Sequence, residues 1–400
     1  MYKKDNFELF QNEQKLSIYI HIPFCRKLCS FCEYIKFPKK EDSIEKKYVS
    51  ILEKDINKFI KNNNFILYGL DIGGGTPTVL SDDNFFHLMK ITKNIIKLKC
   101  VADFEPSIEG TFDTLTEEKI KAIHEAGFTR ISLGIQTINM NILNKNNRDN
   151  LNLDGMINVI ELIRKNNIEK VNIDFMYGLE NQTLNDLKES LKVVEILNPN
   201  QVTLYEMRYN MLLHKKDVDK KYFYEQYKLL YNELTKLGYI GTFGQNTFTK
   251  DKKDLGLSSY LRYRMIENIS YKGFGISAQS KSKLGISYNI GKNRETLSDC
   301  LNNDSFYPSD IYQLPSDELL AKYIAISLYY GKFKLSIMRD IINNDPLEIY
   351  KEQFRFLKSG KYITIDGDVV SLTKKGFKYY GSIGALFYSK SVQEWFLGSD

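Results

Sequence analysis

The sequence predicts an α/β protein with a barrel of parallel strands in its first half and a smaller domain at its carboxyl-terminal end. Short β-branched runs alternate with longer amphipathic stretches up to about Met207, and a different pattern of helices and a hairpin begins near Ser316. Six strand–helix units in series require parallel strands, and a partial or complete barrel is their natural closure. A chain of 400 residues is also too long for one ordinary core.

The predicted strands of the barrel are short apolar runs rich in β-branched residues, at positions 17–22, 66–73, 101–105, 129–134, 170–176 and 201–207. The amphipathic segments between them predict helices at 43–61, 82–97, 116–126, 151–166 and 185–197. Thr116, followed by Glu118 and Lys119, gives the third of these helices a capped start. The predicted barrel occupies residues 1–215.

The sequence after the barrel predicts two further structural units, an extension of the barrel and a carboxyl-terminal domain. Residues 216–310 form an α+β extension of the barrel, with a Tyr-rich amphipathic helix at 221–237 and a Gly- and Ser-rich region at 239–290. Residues 311–400 form the carboxyl-terminal domain, with helices at 318–330, 336–343 and 347–357. Strands at 362–365 and 369–371 turn at Asp366-Gly367, which is a strong two-residue hairpin signal. Helices followed by a hairpin predict a small winged-helix-like domain.

Composition excludes several classes of protein. The net charge of +6 is a small excess of 56 basic over 50 acidic residues, and Asp interrupts the Lys-rich runs, so we expect no nucleic-acid partner. No stretch approaches the ~18 apolar residues of a membrane span, and the amino terminus has no apolar signal segment. We therefore expect a cytoplasmic protein. In that reducing compartment we expect the five cysteines not to form a disulfide framework.

Three cysteines form a Cys-x3-Cys-x2-Cys pattern directly after the first predicted strand, at Cys25, Cys29 and Cys32. Thiolates are the natural ligands of iron–sulfur clusters. Three of them on one loop can bind three irons of a 4Fe-4S cluster and leave the fourth iron open to S-adenosylmethionine (SAM). The alternatives are buried structural thiols or a zinc site, but zinc motifs usually include a second Cys pair or His, and none follows here. The spacing predicts a radical SAM site.

A glycine triplet, Gly73-Gly74-Gly75-Thr76-Pro77, ends the second predicted strand. Consecutive glycines let the backbone approach a ligand closely and expose its N–H and C=O groups. The triplet lacks the Gly-Lys-Ser/Thr ending of a phosphate loop. Alone, the triplet indicates only a turn. Because it follows the cysteine loop of a predicted barrel, we expect it to contact the methionine part of SAM.

Four motifs occur in one order along the chain: Tyr-Ile-His-Ile-Pro-Phe-Cys at 19–25, the glycine triplet, Ser-Leu-Gly-Ile-Gln at 132–136, and Asn-Ile-Asp-Phe-Met-Tyr-Gly-Leu at 172–179. Together they resemble the oxygen-independent coproporphyrinogen III oxidase-like family of radical SAM proteins, over about the first three hundred residues. The resemblance implies a partial (β/α)6 radical SAM barrel with the cluster and SAM at the carboxyl ends of its strands, an α+β extension and a winged-helix-like domain.

The same resemblance implies cofactor-binding residues, and it assigns each by its place in a motif. Gln136 and Asp174 are the expected ribose contacts, Arg148 the partner of the SAM carboxylate, and Glu105 a further SAM contact at the end of the third predicted strand. The remaining expected SAM-binding residues are Tyr19, Gly74, Gly75 and Thr76. His21 also matches the family's first strand, but a structural histidine is its expected role.

The chain departs from the family pattern at two places. The oxidases proper have a fourth cysteine two residues after the third, where this chain has Tyr34. The chaperone-like branch usually has His-Asn and later Tyr-Trp after the barrel, where this chain has Gln245-Asn246 and Tyr260-Leu261. The single Trp of the chain is Trp395. No His follows His214, so a histidine from the carboxyl-terminal half cannot be an axial ligand of haem, although Tyr or Met could ligate it.

The expected function is that of a radical SAM oxidoreductase of porphyrin biosynthesis. The resemblance implies a tetrapyrrole substrate, oxidative decarboxylation of its propionates, and an electron donor such as flavodoxin or ferredoxin. One alternative is a different radical SAM reaction, methyl transfer or ring opening, as in the family's methyltransferases and haem-degrading enzymes. The other belongs to a different class: a haem-binding chaperone that uses the cluster and SAM for control. The catalytic residues are not predicted by the sequence.

Overall fold

The computed structural model describes residues 3–4, 7–209 and 219–398, so His214 lies outside the described residues. Its strands are β1 (Lys15–Ile22), β2 (Phe24–Cys25), β3 (Phe37–Pro38), β4 (Ile66–Gly74), β5 (Ser107–Gly110), β6 (Arg130–Gln136), β7 (Lys170–Tyr177), β8 (Gln201–Glu206), β9 (Thr247–Thr249), β10 (Ser270–Phe274), β11 (Gln279–Lys281), β12 (Gly285–Asn289), β13 (Pro308–Gln313), β14 (Lys332–Lys334), β15 (Ile363–Asp366) and β16 (Val369–Leu372).

The α-helices lie between these strands and after them. They are α1 (Asp42–Asn62), α2 (Asp82–Ile96), α3 (Glu117–Glu125), α4 (Met140–Lys145), α5 (Leu153–Lys165), α6 (Leu184–Leu197), α7 (Lys220–Lys236), α8 (Ser259–Met265), α9 (Leu297–Leu301), α10 (Ser316–Leu328), α11 (Leu335–Ile342), α12 (Pro346–Ile349), α13 (Lys351–Ser359), α14 (Lys374–Phe377), α15 (Tyr380–Ala385) and α16 (Lys390–Gly398). The capped start of α3 is confirmed, because the Thr116 side chain accepts a hydrogen bond from the Lys119 amide.

Six parallel strands, in the order β1-β4-β5-β6-β7-β8, form the centre of the molecule. At least one helix connects each strand to the next, from α1 after β1 to α6 after β7. The sheet does not close on itself, because β1 pairs with β10 and β8 pairs with β9. The predicted α/β fold with a partial barrel is therefore confirmed.

The third strand of the barrel is not where the sequence predicted it. Residues 101–105 contain a turn at Ala102-Asp103, and β5 begins only after Pro106, at Ser107. Proline has no N–H for the ladder, so it stands before the strand and not within it. This shift of about five residues changes which glutamate reaches the rim of the barrel.

The extension continues the barrel's sheet on both sides. Strands β10 to β13 follow β1 on one edge, and β9 follows β8 on the other, which gives an eleven-stranded mixed sheet. β10 pairs with β1 in the parallel direction. β11, β12 and β13 each pair antiparallel with the preceding strand, and β9 pairs antiparallel with β8. The predicted boundaries at 215 and 310 stay predictions.

The carboxyl-terminal residues have a hydrophobic core of their own, formed by buried side chains that include Leu320, Phe333, Leu357, Val370 and Phe387. Its sheet has the order β14-β16-β15, and β15 and β16 form the predicted hairpin. Asp366 pairs with Val369, so the two turn residues are Gly367 and Asp368, one position later than predicted. Gly367 has φ 54°, a conformation that favours glycine. The single helix predicted at 347–357 is divided into α12 and α13.

Two expectations concern the environment of the chain. All five cysteines are free thiols, in agreement with the expected absence of a disulfide framework. Across residues 3–4, 7–209 and 219–398, no helix has the length and apolar character to cross a membrane. The cytoplasmic location stays a prediction.

Candidate functional site

One pocket at the carboxyl ends of the parallel strands brings most of the predicted site residues together. We call it the cluster pocket; its volume is about 260 Å³. Parallel strands end at a common rim, so residues far apart in the sequence meet there. The predicted residues among its lining are Cys25, Cys29, Cys32, Gly74, Gly75, Thr76, Gln136, Arg148 and Asp174.

The loop that holds the cysteines is fixed by backbone hydrogen bonds. Cys25 ends β2, and its carbonyl accepts from the Lys39 amide at 2.7 Å. The Cys32 amide donates to the Cys29 carbonyl at 3.3 Å. Polar groups also approach two of the sulfur atoms: Thr76 Oγ1 lies 3.9 Å from Cys25 Sγ, and Arg148 Nη1 lies 3.7 Å from Cys29 Sγ. The loop therefore presents its thiols to donors from the segments that follow β4 and β6.

Two of the thiols are protonated at neutral pH in the absence of a metal. Burial raises the pKa of Cys25 to about 11 and also raises the pKa of Cys32. Metal ligation requires the thiolate, so iron binding would have to release these protons. We therefore expect assembly of a cluster here to be favoured by higher pH.

The described residues include no preformed site for a single metal ion. Among the described residues, no three His, Cys, Asp or Glu side chains converge on a point where one metal ion could be held. Tetrahedral zinc needs such convergence, with sulfur about 2.3 Å from the ion. In a 4Fe-4S cluster each cysteine binds a different iron, so the sulfur atoms stand apart around a shared volume.

The glycine triplet is needed for close packing at the rim. A Cβ atom at Gly73 would lie 2.4 Å from a carboxylate oxygen of Glu109, and one at Gly75 would lie 2.6 Å from the Phe24 carbonyl oxygen. Gly74 has φ 113°, and its amide donates to Glu109 Oε2 at 3.2 Å. The triplet thus brings its backbone against both the cysteine loop and an acidic side chain.

Glu109, and not Glu105, is the glutamate that the third barrel strand brings to the cluster pocket. Glu105 precedes Pro106 and β5, and its carboxylate forms an ion pair with Lys170, the first residue of β7, at the opposite end of the strands. Glu109 lies within β5 and lines the pocket. Burial, and secondarily the nearby Asp174 carboxylate, raises the pKa of Glu109 to about 7. Glu105 is therefore not among the residues that line the cluster pocket, because the third strand begins later in the chain than the sequence predicted, and its role as a SAM contact stays a prediction.

Gln136 and Asp174 lie on neighbouring strands at the rim. Gln136 has φ 68°, which is rare for a residue with a side chain, and the pairing of β6 with β7 shifts register beside it. Asp174 accepts hydrogen bonds from Asn172 Nδ2 at 2.7 Å and from Ser132 Oγ at 3.2 Å. Burial raises the pKa of Asp174. The fold therefore holds the Asp174 side chain in place by hydrogen bonds and sets the backbone conformation of Gln136.

Arg148 has capacity for a further acceptor. Its Nη2 donates to the Gly134 carbonyl and its Nη1 points to Cys29 Sγ, while its Nε is buried without a hydrogen-bond partner. A buried donor without a partner is uncommon in folded proteins. The guanidinium therefore fits an incoming carboxylate, as the SAM assignment requires.

Tyr19 is not among the residues that line the cluster pocket. It pairs in register with Asp71, two positions before the glycine triplet, so it lies one layer below the rim. Its ring stacks on Tyr260 at 5.7 Å, and its hydroxyl is 3.4 Å from Nδ1 of His21. Burial lowers the pKa of His21 to about 4, and its Nε2 lies 3.1 Å from the Ile35 carbonyl oxygen. His21 is thus a neutral histidine that connects β1 to the cysteine loop.

A second cavity lies inside the barrel, below the rim. We call it the lumen cavity; its volume is about 190 Å³, and its lining includes Asp71, Glu109, Arg130, Ser132 and Arg208. Asp71 Oδ2 accepts from Ser258 Oγ at 2.7 Å, but Oδ1 is buried without a partner. Burial raises the pKa of Asp71 to about 7. Asp71 is not among the site residues predicted from the sequence, although an Asp within an apolar strand indicates a polar site.

We expect Asp71→Asn to stabilise the protein without cofactors at high pH. An acid whose pKa is raised on folding destabilises the folded state as pH rises from its ordinary value of 3.8 to about 7. Asn cannot ionise and can still accept from Ser258, so the gain in free energy of unfolding should reach roughly 1–2 kcal/mol at pH 8 and shrink at pH 5. Denaturant titration at both pH values measures it. An equal difference at the two values would contradict the assignment of a buried, titrating carboxyl.

Comparison with known proteins places these features in a family. The sequence model of the Radical SAM superfamily matches residues 19–194. The chain is 28% identical over 388 residues to the heme chaperone HemW of Buchnera aphidicola (subsp. Acyrthosiphon pisum), covering 93% of this chain and 98% of that protein. It is 30% identical over 194 residues to the oxygen-independent coproporphyrinogen III oxidase of Escherichia coli, covering 48% of this chain and 42% of that protein.

The solved structure of coproporphyrinogen III oxidase (HemN) from Escherichia coli has the same fold, with a TM-score of 0.77 at 22% identity over 94% of this chain and 91% of that one. The open parallel barrel, the cysteine loop at its rim and the superfamily match define a radical SAM protein. Relatives of both kinds, oxidase and chaperone, resemble this chain. The chain belongs to the oxygen-independent coproporphyrinogen III oxidase-like family of radical SAM proteins.

Proposed function

We propose that this protein is a radical SAM enzyme that binds a 4Fe-4S cluster through Cys25, Cys29 and Cys32 and abstracts a hydrogen atom from an organic substrate. The observation that supports this most is the cluster pocket, in which the three cysteines share one cavity with the glycine triplet and with side chains from β5, β6 and β7. When bound, the cluster supplies the electron for reductive cleavage of SAM. The protein supplies the binding and orientation of both.

Each pocket residue has a proposed task in holding SAM. The backbone at Gly74 and Gly75 approaches the methionine part, the Glu109 carboxylate accepts from its amino group, and Arg148 binds its carboxylate. Gln136 and Asp174 bind the ribose hydroxyls. Because most of these groups are already hydrogen-bonded in place, little ordering is needed when SAM binds.

A tetrapyrrole is the proposed substrate class. Beside the cluster pocket lies a larger cavity of about 440 Å³, a size that suits a small organic ligand. We call it the aromatic cavity, because its lining includes Tyr177, Tyr209, Phe223, Tyr224, Tyr227, Phe243, Tyr329, Phe377 and Tyr380. Glu206 and Arg208 line both cavities, so the two adjoin. Aromatic side chains suit packing against the pyrrole rings of such a macrocycle, and the shared lining would bring its edge near SAM.

Oxidative decarboxylation of the propionates of coproporphyrinogen III is the proposed reaction, and it can be tested directly. The reconstituted protein is incubated anaerobically with SAM, dithionite and coproporphyrinogen III, and the products are analysed by mass spectrometry. We expect 5′-deoxyadenosine together with a porphyrinogen that has lost carbon dioxide, and neither product with the Cys25→Ala variant. Formation of 5′-deoxyadenosine with unchanged porphyrinogen would contradict the oxidase reaction. The protein would then be a radical SAM enzyme that catalyses a different reaction.

A haem-binding chaperone is the second candidate, supported by a relative of nearly full-length coverage that bears this name. The aromatic cavity also includes Met207 and several tyrosines, which are possible haem ligands. Titration with haemin, followed by absorption spectroscopy, separates the two candidates. Stoichiometric haem binding that Met207→Ala abolishes, without consumption of coproporphyrinogen III, would favour the chaperone.

A further inference from the structure

Arg208 stands where three cavities meet. It follows β8 and lines the cluster pocket, the aromatic cavity and the lumen cavity. A cation at such a junction lies between the proposed SAM site and the proposed site of the macrocycle. Its position therefore suits a role in orienting the substrate.

The ion pair that Arg208 makes in this structure is weak. Arg208 Nη1 lies 3.8 Å from Glu33 Oε2, which is beyond hydrogen-bond distance, and the two side chains are 50% and 30% exposed. Its guanidinium lies against the Tyr329 ring, 5.5 Å from the centroid. Exposed ion pairs without good geometry contribute little to stability. The guanidinium also forms a hydrogen bond with the Tyr329 side chain, and its remaining N–H groups suit a better-placed acceptor, such as a carboxylate held bidentately.

Other charged groups around the junction have partners already. Tyr177 donates to Glu206 Oε2 at 3.1 Å, and Glu109 accepts from the Gly74 amide. Glu33, which follows Cys32 on the cysteine loop, interacts with Arg208 only through this long ion pair. An incoming carboxylate would exchange with Glu33 and not with a buried acid.

We propose that Arg208 is the receptor for a carboxylate of the substrate, and that this carboxylate replaces Glu33 on the guanidinium when the substrate binds. The inference rests on the proposed function, since it takes the substrate to be a macrocycle that carries carboxylates. It adds a positioning residue: Arg208 would fix one acidic side chain of the ring at the boundary between the aromatic cavity and the cluster pocket.

Two substitutions should act in opposite directions. Arg208→Met removes the receptor and should weaken binding of a carboxylate ligand about tenfold or more. Glu33→Gln removes the competitor and should strengthen the same binding about two- to fivefold, in line with the small contribution of an exposed pair. A merely structural role for Arg208 predicts no such opposition.

The test compares coproporphyrin III with its tetra-amide, which keeps the planar ring but has no carboxylate. Affinities are measured anaerobically by fluorescence quenching on the reconstituted protein, with iron content determined for every variant. We expect wild type to prefer the acid, Arg208→Met to lose that preference, Arg208→Lys to keep part of it, and Glu33→Gln to increase it. Arg262→Met is the matched control, because Arg262 also pairs with a carboxylate, Asp103, and lies over a tyrosine ring, Tyr263.

Each contrary outcome has a distinct meaning. An undiminished preference for the acid in both Arg208→Met and Arg208→Lys would overturn the receptor assignment while leaving the tetrapyrrole proposal intact. Weaker acid binding by Glu33→Gln with full iron content would overturn the exchange. If neither compound binds to wild type, the proposed substrate class fails, and the assignment of Arg208 fails with it.

Discussion

Replacement of Cys25 with Ala is expected to remove the iron–sulfur cluster and to abolish formation of 5′-deoxyadenosine. Cys25, Cys29 and Cys32 line one pocket, and each is the proposed ligand of a different iron. No other cysteine lines that pocket, and Thr76 is the polar neighbour that remains beside the vacated position. The loss should therefore be nearly complete, and the same result is expected for Cys29→Ala and Cys32→Ala.

Iron and sulfide analysis, combined with chromatography of 5′-deoxyadenosine, measures this effect. Cys100→Ala and Cys300→Ala are the controls, since neither thiol lines the pocket. Cys100 Sγ donates to the Leu98 carbonyl at 3.2 Å, and Cys300 is fully buried in the main hydrophobic core. Full iron content with SAM cleavage in the Cys25 variant would refute the cluster assignment. Complete iron loss in the Cys300 variant would mean that the chain also binds the fourth iron.

Glu109→Gln is expected to lower the affinity for SAM about tenfold to a hundredfold while leaving the iron content unchanged. The proposed partner of Glu109 is the amino group of SAM, and a hydrogen bond that involves a charged group, here the Glu109 carboxylate, contributes roughly 1.5–3 kcal/mol. The variant keeps the shape of the side chain and can still accept from the Gly74 amide. Isothermal titration of the reconstituted protein with SAM measures the change.

The pH dependence of SAM binding gives the same assignment a second measurement. Because the pKa of Glu109 is raised to about 7, protons compete with SAM below that value. Wild-type affinity should be highest above pH 7 and fall toward pH 6, whereas Glu109→Gln should lack that dependence. This pattern is not expected of a residue that only supports the fold.

Glu105→Gln is the matched control for this prediction. It removes the partner of Lys170 at the opposite end of the strands, where Asp254 Oδ2 remains 3.0 Å from the Lys170 ammonium group. We expect a small loss of stability and an unchanged affinity for SAM. Wild-type affinity in Glu109→Gln together with weakened binding in Glu105→Gln would restore the sequence-based assignment and reject the structural one.

Part of the site could be predicted because its residues belong to local units. The cysteine loop follows β1 directly, and the glycine triplet ends β4. Gln136 ends β6 and Asp174 lies within β7. In a series of parallel strands every carboxyl end reaches the same rim, so identifying each strand was enough to bring these residues together. The choice of Gln136, Asp174 and Arg148 as SAM-binding residues needed the family resemblance, and Arg148 also lies in a polar loop with no strand to mark it.

The sequence by itself determined the class of fold, the cysteine loop and the order of the barrel strands, because these depend on local patterns of apolar residues, cysteines and glycines. Only the tertiary structure decided that β5 begins after Pro106, because strand residues are defined by pairing with β4 and β6, which are distant in sequence. The same non-local pairing places Glu109, and not Glu105, at the cluster pocket, and it places Tyr19 below the rim. Arg208 and Glu33 come together only when the end of β8 packs beside the cysteine loop.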